Sequence, residues 1–319
     1  VYEEVYSPPA ATFSSSVANT NGVLNGTPPA ITNEFAGWTS SYHGAPMPIA
    51  AMCEWAEATV RRIQAYGGTR ILEVGAGTGI LLRRLLPCCE RYVGTDVSSR
   101  AVEHLRSQLL NSEAAPKVDL RVQPAHEALP AEVVASGRFD TAVLNSVAQY
   151  FPTASYLLSA VAHLASALDA SEPARSRCIF LGDLRSYRHL RHFHASVEAH
   201  SLLRPRVRAR APTMGSPAGE HSATPAVAGA GALAAAIDAA LLEERELCID
   251  PALFLGCERA VPGALASINF EYSRVLLKRG LARNELNAFR YDLVLFLSGE
   301  RVSPPPTAPA AETTELSWA

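Results

Sequence analysis

The sequence predicts an α/β fold built on a doubly wound, mostly parallel sheet, and three observations carry that expectation. The run RILEVGAGTG at 70–79 reads as a buried strand, a turn with glycines at 75, 77 and 79, and the start of an apolar helix. A second apolar strand at 92–95 ends in Asp96, and Ser98 is placed to cap the amphipathic helix that follows. Further short apolar runs at 118–122, 139–144 and 178–184 alternate with helical segments, the rhythm of repeated strand–helix units.

The glycine turn also carries the first chemistry. Gly75 and Gly77 let the backbone approach a ligand where a Cβ would collide, and the helix start at Thr78 and Gly79 offers unpaired N–H groups. An acid at the tip of the next strand, Asp96 followed by Val97, suits the two hydroxyls of a ribose. The spacing is G-x-G-x-G, and Glu73 precedes it. A carboxylate there repels a dinucleotide's pyrophosphate and welcomes an ammonium group. These features favour S-adenosylmethionine, with S-adenosylhomocysteine as its product, over a nicotinamide dinucleotide.

Composition narrows the rest. With 319 residues, 48% of them apolar, the chain is long enough for one large domain with flanks. A net charge of −3 gives no ground for a nucleic-acid or membrane partner, and the arginines at 204, 206, 208 and 210 lie among prolines and alanines without interleaved aromatics. The six cysteines, Cys53, Cys88, Cys89, Cys178, Cys248 and Cys257, form no C-x-x-C pair, which supports neither zinc nor a disulfide framework. His189, His192, His194 and His200 share one helical segment without carboxylates at matching spacing, so no metal is expected. The absence of a signal peptide and of a long apolar span makes a cytoplasmic setting the expectation.

In chain order, 1–33 reads as an N-terminal stub and a Ser/Thr/Asn/Pro-rich linker, and 34–203 as the cofactor-binding core. Pro48 opens a helix whose Met52, Trp55, Ala56, Thr59, Val60 and Ile63 recur at helical spacing. Trp38 and Tyr42 either pack this helix onto the core or, for Tyr42, help cap the cofactor. Ala125, His126 and Glu127 follow the third strand, where a doubly wound sheet places its ligand; a ligand-facing backbone is favoured there over a catalytic histidine. Asn145 and Ser146 emerge at the tip of the fourth strand, Tyr150 follows as a substrate contact or as packing, and Asp183 stands at the tip of the fifth. Residues 204–232 read as an Ala/Pro-rich loop, and 233–299 as a lid helix and the closing strands at 268–277 and 291–297. In that helix Leu241, Leu242, Leu247 and Ile249 are expected on the core. RNELNAFRYD, between the closing strands, is more polar than a mere connector requires, and 300–319 reads as a disordered tail.

Taken together, FAGWTSSYHGAPMP, ILEVGAGTG, GTDVS, QPAHE, FDTAVLNSVAQYF, LGDLRSYRHLRHFH, LLEERELCIDP and NELNAFRYDLVL resemble the methyltransferase domains embedded in the adenylation domains of nonribosomal peptide synthetases. The resemblance covers about 35–297. It implies a Rossmann-like class I methyltransferase with a seven-stranded sheet and helical cap insertions. It also implies an activity: N-methylation of the α-amine of an aminoacyl or peptidyl thioester on a carrier protein, with the carrier and a flanking adenylation domain as partners. Methylation of a side-chain oxygen or sulfur, or of a free small molecule, is the alternative. Carried over to this sequence, it places Glu73, Gly75, Gly77 and Gly79 around the methionyl part, Asp96 on the ribose, Ala125 and His126 at the adenine rim and Asn145 at the methionine end. Tyr150, Asp183, Asn284, Glu285, Arg290 and Tyr291 become candidates for the acceptor side. An acceptor nitrogen must lose its proton before it has a lone pair to offer. Glu285 or Asp183 is the candidate base, with Tyr291 and Asn284 as orienting partners; a Glu285–Arg290 salt bridge is the competing account.

Overall fold

A computed structural model of the protein describes residues 34–110, 112–168, 177–203, 230–255, 265, 268 and 270–297. The linker at 1–33, the insert at 204–229, Cys257 and the tail at 300–319 lie outside the described residues.

Seven strands form one sheet: β1 (Arg70–Val74), β2 (Arg91–Asp96), β3 (Val118–Val122), β4 (Thr141–Asn145), β5 (Arg177–Arg185), β6 (Phe270–Leu277) and β7 (Arg290–Leu297). Their order is β3-β2-β1-β4-β5-β7-β6. The first five strands pair in parallel, and β7 runs antiparallel to both β5 and β6. The central strands are buried on both faces, which explains why the sequence reads there as unbroken apolar runs rather than alternation. The strand order reverses between β1 and β4, and the crevice outside the carboxyl ends of these strands is where such sheets hold ligands.

Eight helices accompany the sheet among the described residues: α1 (Ile49–Tyr66), α2 (Ile80–Leu85), α3 (Ser99–Leu109), α4 (Ala131–Gly137), α5 (Ala154–Ala167), α6 (Leu190–Leu203), α7 (Ala230–Glu243) and α8 (Glu285–Phe289). The buried stripe of α1 is the one its spacing predicts, Met52, Trp55, Ala56, Thr59, Val60 and Ile63. Side-chain caps fix three helix starts. Ser98 accepts the Ala101 N–H before α3, Thr153 the Tyr156 N–H before α5, and Asn284 the Asn287 N–H before α8. None of the described helices is long and apolar enough to cross a membrane.

The structure corrects several sequence expectations. The fourth strand starts at Thr141, because Phe139 makes only an isolated bridge to Leu168. The sixth begins at Phe270 rather than 268, and the Ala/Pro-rich segment is already helical from Ala230. Asp183 is not at a strand tip. It lies inside β5, wholly buried, at a bulge between Leu181 and Leu184 where its φ of 61° lets its N–H reach Asp292 Oδ1 at 2.8 Å. Leu242 is 88% exposed, since Ile237 is the residue of α7 that faces inward and Leu242 sits about 140° further round the helix. Ile249, by contrast, is buried, and Leu247 packs against the same core.

Candidate functional site

A cavity of about 880 Å³ opens at the carboxyl ends of β1, β2 and β4. Its inner wall is the glycine turn. Gly75 has a φ of 80°, and a Cβ there would stand 2.2 Å from Val147 Cγ2, so only glycine fits. Gly77 donates its N–H to Asp96 Oδ2 at 2.8 Å, and the Ser98 N–H reaches the other Asp96 oxygen at 2.9 Å. The carboxylate at the tip of β2 is thereby held beside the turn, on the cavity wall. Glu73, also on that wall, receives the Tyr92 hydroxyl. Burial pushes its pKa up to about 7; the Tyr92 hydrogen bond opposes this and the negative Asp96 adds to it.

Val97, Ala125, Asn145 and Ser146 line the same cavity. Gly79, His126 and Tyr42 are not among its lining residues. His126 is exposed and bonds the Tyr156 hydroxyl at 2.8 Å through Nδ1. The Tyr42 hydroxyl lies 2.9 Å from Ser196 Oγ on α6, and its ring meets His200 edge-on at 5.4 Å. What covers the cavity instead is the segment around Tyr42, whose Ala36, Gly37, Trp38, Thr39 and Ser41 face into it. Glu34 fastens one end of this strap, pairing with Arg84 at 2.7 Å and Arg83 at 3.4 Å while its carbonyl accepts the Thr78 hydroxyl at 2.8 Å. Trp38 packs on Trp55 at 4.8 Å, and the Ser41 N–H donates to Glu285 Oε1 at 2.6 Å.

The candidate acceptor residues separate into two groups. Asp183 is the hub of a buried charge network and not a proton acceptor. Its carboxylate takes hydrogen bonds from Trp55 Nε1 at 3.0 Å and Ser146 Oγ at 2.8 Å, and pairs with Arg290 at 2.6 Å and Lys278 at 3.5 Å. Burial raises its pKa, but Arg290, Lys278 and the two hydrogen bonds outweigh it and leave it near about 2. A carboxylate so held does not gain a proton at neutral pH. Lys278 and Arg62 also meet the fully buried Asp292, which completes the network. Asn284 is spent on capping α8, and the Tyr291 hydroxyl donates to the Ile249 carbonyl at 3.0 Å, so neither lines the cavity. The Glu285–Arg290 salt bridge is not formed, because Arg290 turns to Asp183. Glu285, 5% exposed, does line the cavity, together with Tyr150 and Arg290.

Sequence reasoning missed the outer wall. Arg185 holds Glu244 through both oxygens, at 2.9 and 2.7 Å, and Glu246 at 2.7 Å, while His194 Nε2 lies 3.2 Å from Glu244. The Arg185 guanidinium sits over the Phe193 ring at 5.1 Å, and Phe193 meets Phe289 at 5.4 Å. The charge alternation of LLEERE in an apolar region was the available signal. Among the described residues no group of three or more His, Cys, Asp or Glu is placed to hold a metal.

A family model described as a methyltransferase domain matches residues 72–170. The chain is 36% identical over 267 residues to chondramide synthase cmdD of Chondromyces crocatus, an alignment covering 82% of this chain and 6% of that protein. It is also 36% identical over 287 residues to the probable non-canonical nonribosomal peptide synthetase CymA of Salinispora arenicola, covering 89% of this chain and 3% of that one. The chain thus spans less than a tenth of the length of these relatives. Among solved structures, magnesium protoporphyrin IX methyltransferase from Synechocystis PCC 6803 with bound SAH aligns at 14% identity and a TM-score of 0.43, over 80% of this chain and 89% of that one. With its glycine turn, the acid closing β2 and the antiparallel seventh strand, the chain belongs to the class I methyltransferases that use S-adenosylmethionine.

Proposed function

We propose that this domain N-methylates the α-amine of an aminoacyl or peptidyl group held as a thioester on a carrier protein. The observation that carries the reading is similarity along 89% of the chain to a protein named as a probable nonribosomal peptide synthetase. The site supports it through its fit to the cofactor: a turn that a Cβ at 75 would fill, a carboxylate at the ribose position and an acid in place of an anion-binding cation. Glu73, Gly75, Gly77, Asp96, Val97, Ala125, Asn145 and Ser146 are the residues that would hold it. When bound, S-adenosylmethionine supplies an electrophilic methyl carbon on a sulfonium and leaves as S-adenosylhomocysteine.

The rest falls to the chain's own residues. Glu285 lines the cavity with Oε1 already fixed by the Ser41 N–H, so its carboxylate is oriented to take the proton from the acceptor ammonium. Asp183 keeps Arg290 and Ser146 at the wall, and the strap lies along the cavity. A carrier and an adjoining adenylation domain are the proposed partners. The test is to incubate the protein and S-adenosylmethionine with an aminoacyl-pantetheine thioester and locate the added methyl by mass spectrometry. A methyl on nitrogen supports the reading; a methyl on a side-chain heteroatom, or none, overturns it.

A further inference from the structure

Gln149 is 4% exposed and lines the cavity, yet its Oε1 has no hydrogen-bond partner in the structure. A buried amide oxygen left unpaired is costly unless a ligand supplies a donor. Its surroundings show which kind of donor. The Gln149 side chain bonds the Tyr150 hydroxyl, and the negative charge of Glu246 acts on that same hydroxyl. The Gln149 carbonyl accepts the Leu247 N–H at 2.8 Å, which locks the 149–150 turn against the segment carrying Glu246. Arg185 fixes Glu246 through Oε2 at 2.7 Å, leaving Oε1 without a hydrogen bond among the described residues. An amide oxygen, a phenol oxygen and a carboxylate therefore line one wall of the cavity, with Arg185 paired to the carboxylate and the charge of Arg290 also acting on the phenol. The amide oxygen and the second carboxylate oxygen are left to accept.

We infer that Gln149 and Glu246 form the receptor for the acceptor's amine, selecting a primary amine or ammonium over a hydroxyl or a carboxylate. A free amino acid brings a carboxylate close to Glu246; an acylated one does not. The inference rests on the proposed function and names the residues that read its substrate.

The experiment compares binding of alanyl-pantetheine and propionyl-pantetheine thioesters, which differ by the amine, to the full chain saturated with S-adenosylhomocysteine. Calorimetry on the wild type is expected to show a preference of about tenfold or more for the alanyl compound. Gln149→Leu removes that preference while S-adenosylhomocysteine binds as before. A Gln149→Leu protein that keeps the full preference, or a wild type that shows none, overturns the inference. If Gln149→Leu fails to bind S-adenosylhomocysteine, Glu246→Gln decides by the same criterion, and Glu246→Asp is expected to restore part of the preference. A wild type that prefers the amine but transfers no methyl refutes the proposed function and leaves the amine receptor standing. Methyl transfer without any such preference does the reverse.

Discussion

Three carboxylates at single positions do three different jobs, and their environments tell them apart. Glu285 has one oxygen held by a backbone N–H and faces the cavity, so Glu285→Gln keeps an acceptor for Ser41 while removing the proposed base. Turnover is expected to fall about a hundredfold or more, with thermal stability almost unchanged; equal turnover in the two proteins would clear Glu285 of the role. Asp183 holds up the fold. Asp183→Asn strips Arg290 of its buried partner, leaves Lys278 with Asp292 alone, and is expected to cost about 3–5 kcal/mol in urea unfolding. Its pKa is depressed from 3.8 to about 2. Its contribution is therefore present above pH 3.8 and is lost as pH falls towards 2, a limb that the Asn variant should lack. Glu73 works in the opposite sense, its pKa raised to about 7. Its contribution to the folded state is fully present below pH 4.5 and is lost as pH rises from there to about 7. A bound ammonium favours the ionised form instead. S-adenosylmethionine affinity should accordingly weaken as pH drops below about 7, with a proton released on binding; Glu73→Gln should flatten that dependence in calorimetry.

At the level of elements, the glycine turn and the strands feeding it were legible because each depends on a local requirement. Buried parallel strands need continuous apolar runs, and the close approach at Gly75 needs a missing Cβ. Gly75→Ala should abolish measurable cofactor binding. Adding Val147→Ala returns the space but not the φ of 80°, so the double variant should bind more weakly than the wild type. What the sequence concealed depends on partners distant along the chain. The bulge in β5 that draws Asp183 inward is written into its pairing with β7, over a hundred residues away, not into the strand itself. RNELNAFRYD looked too polar for a connector and turned out to divide its polar groups: Asn284 to a helix cap, Glu285 to the cavity, Arg290 to a buried anion. Tyr291 resembled an acceptor-side residue, but its hydroxyl is committed to the Ile249 carbonyl.

Across the molecule, one sheet places two functions on the same edge. The parallel half ends in the cofactor turn, and the antiparallel β7 brings α8 and Arg290 to the other side of the cavity. The strap from Glu34 to Met47 closes over both, anchored on α2 and on Glu285. The residues expected to hold the cofactor that do line the cavity lie within the stretch 73–146, where the glycine turn and the strand ends make them legible, whereas Tyr42, Gly79 and His126 do not line it. The proposed acceptor half is assembled from 149, 185, 194, 244, 246 and 285, and only the folded chain brings them together. The most direct test of the account offers an aminoacyl-carrier thioester and the same free amino acid together, with S-adenosylmethionine labelled in its methyl group. Label on the thioester-bound nitrogen alone is the predicted result; label on the free amino acid, or on a side chain, would contradict it.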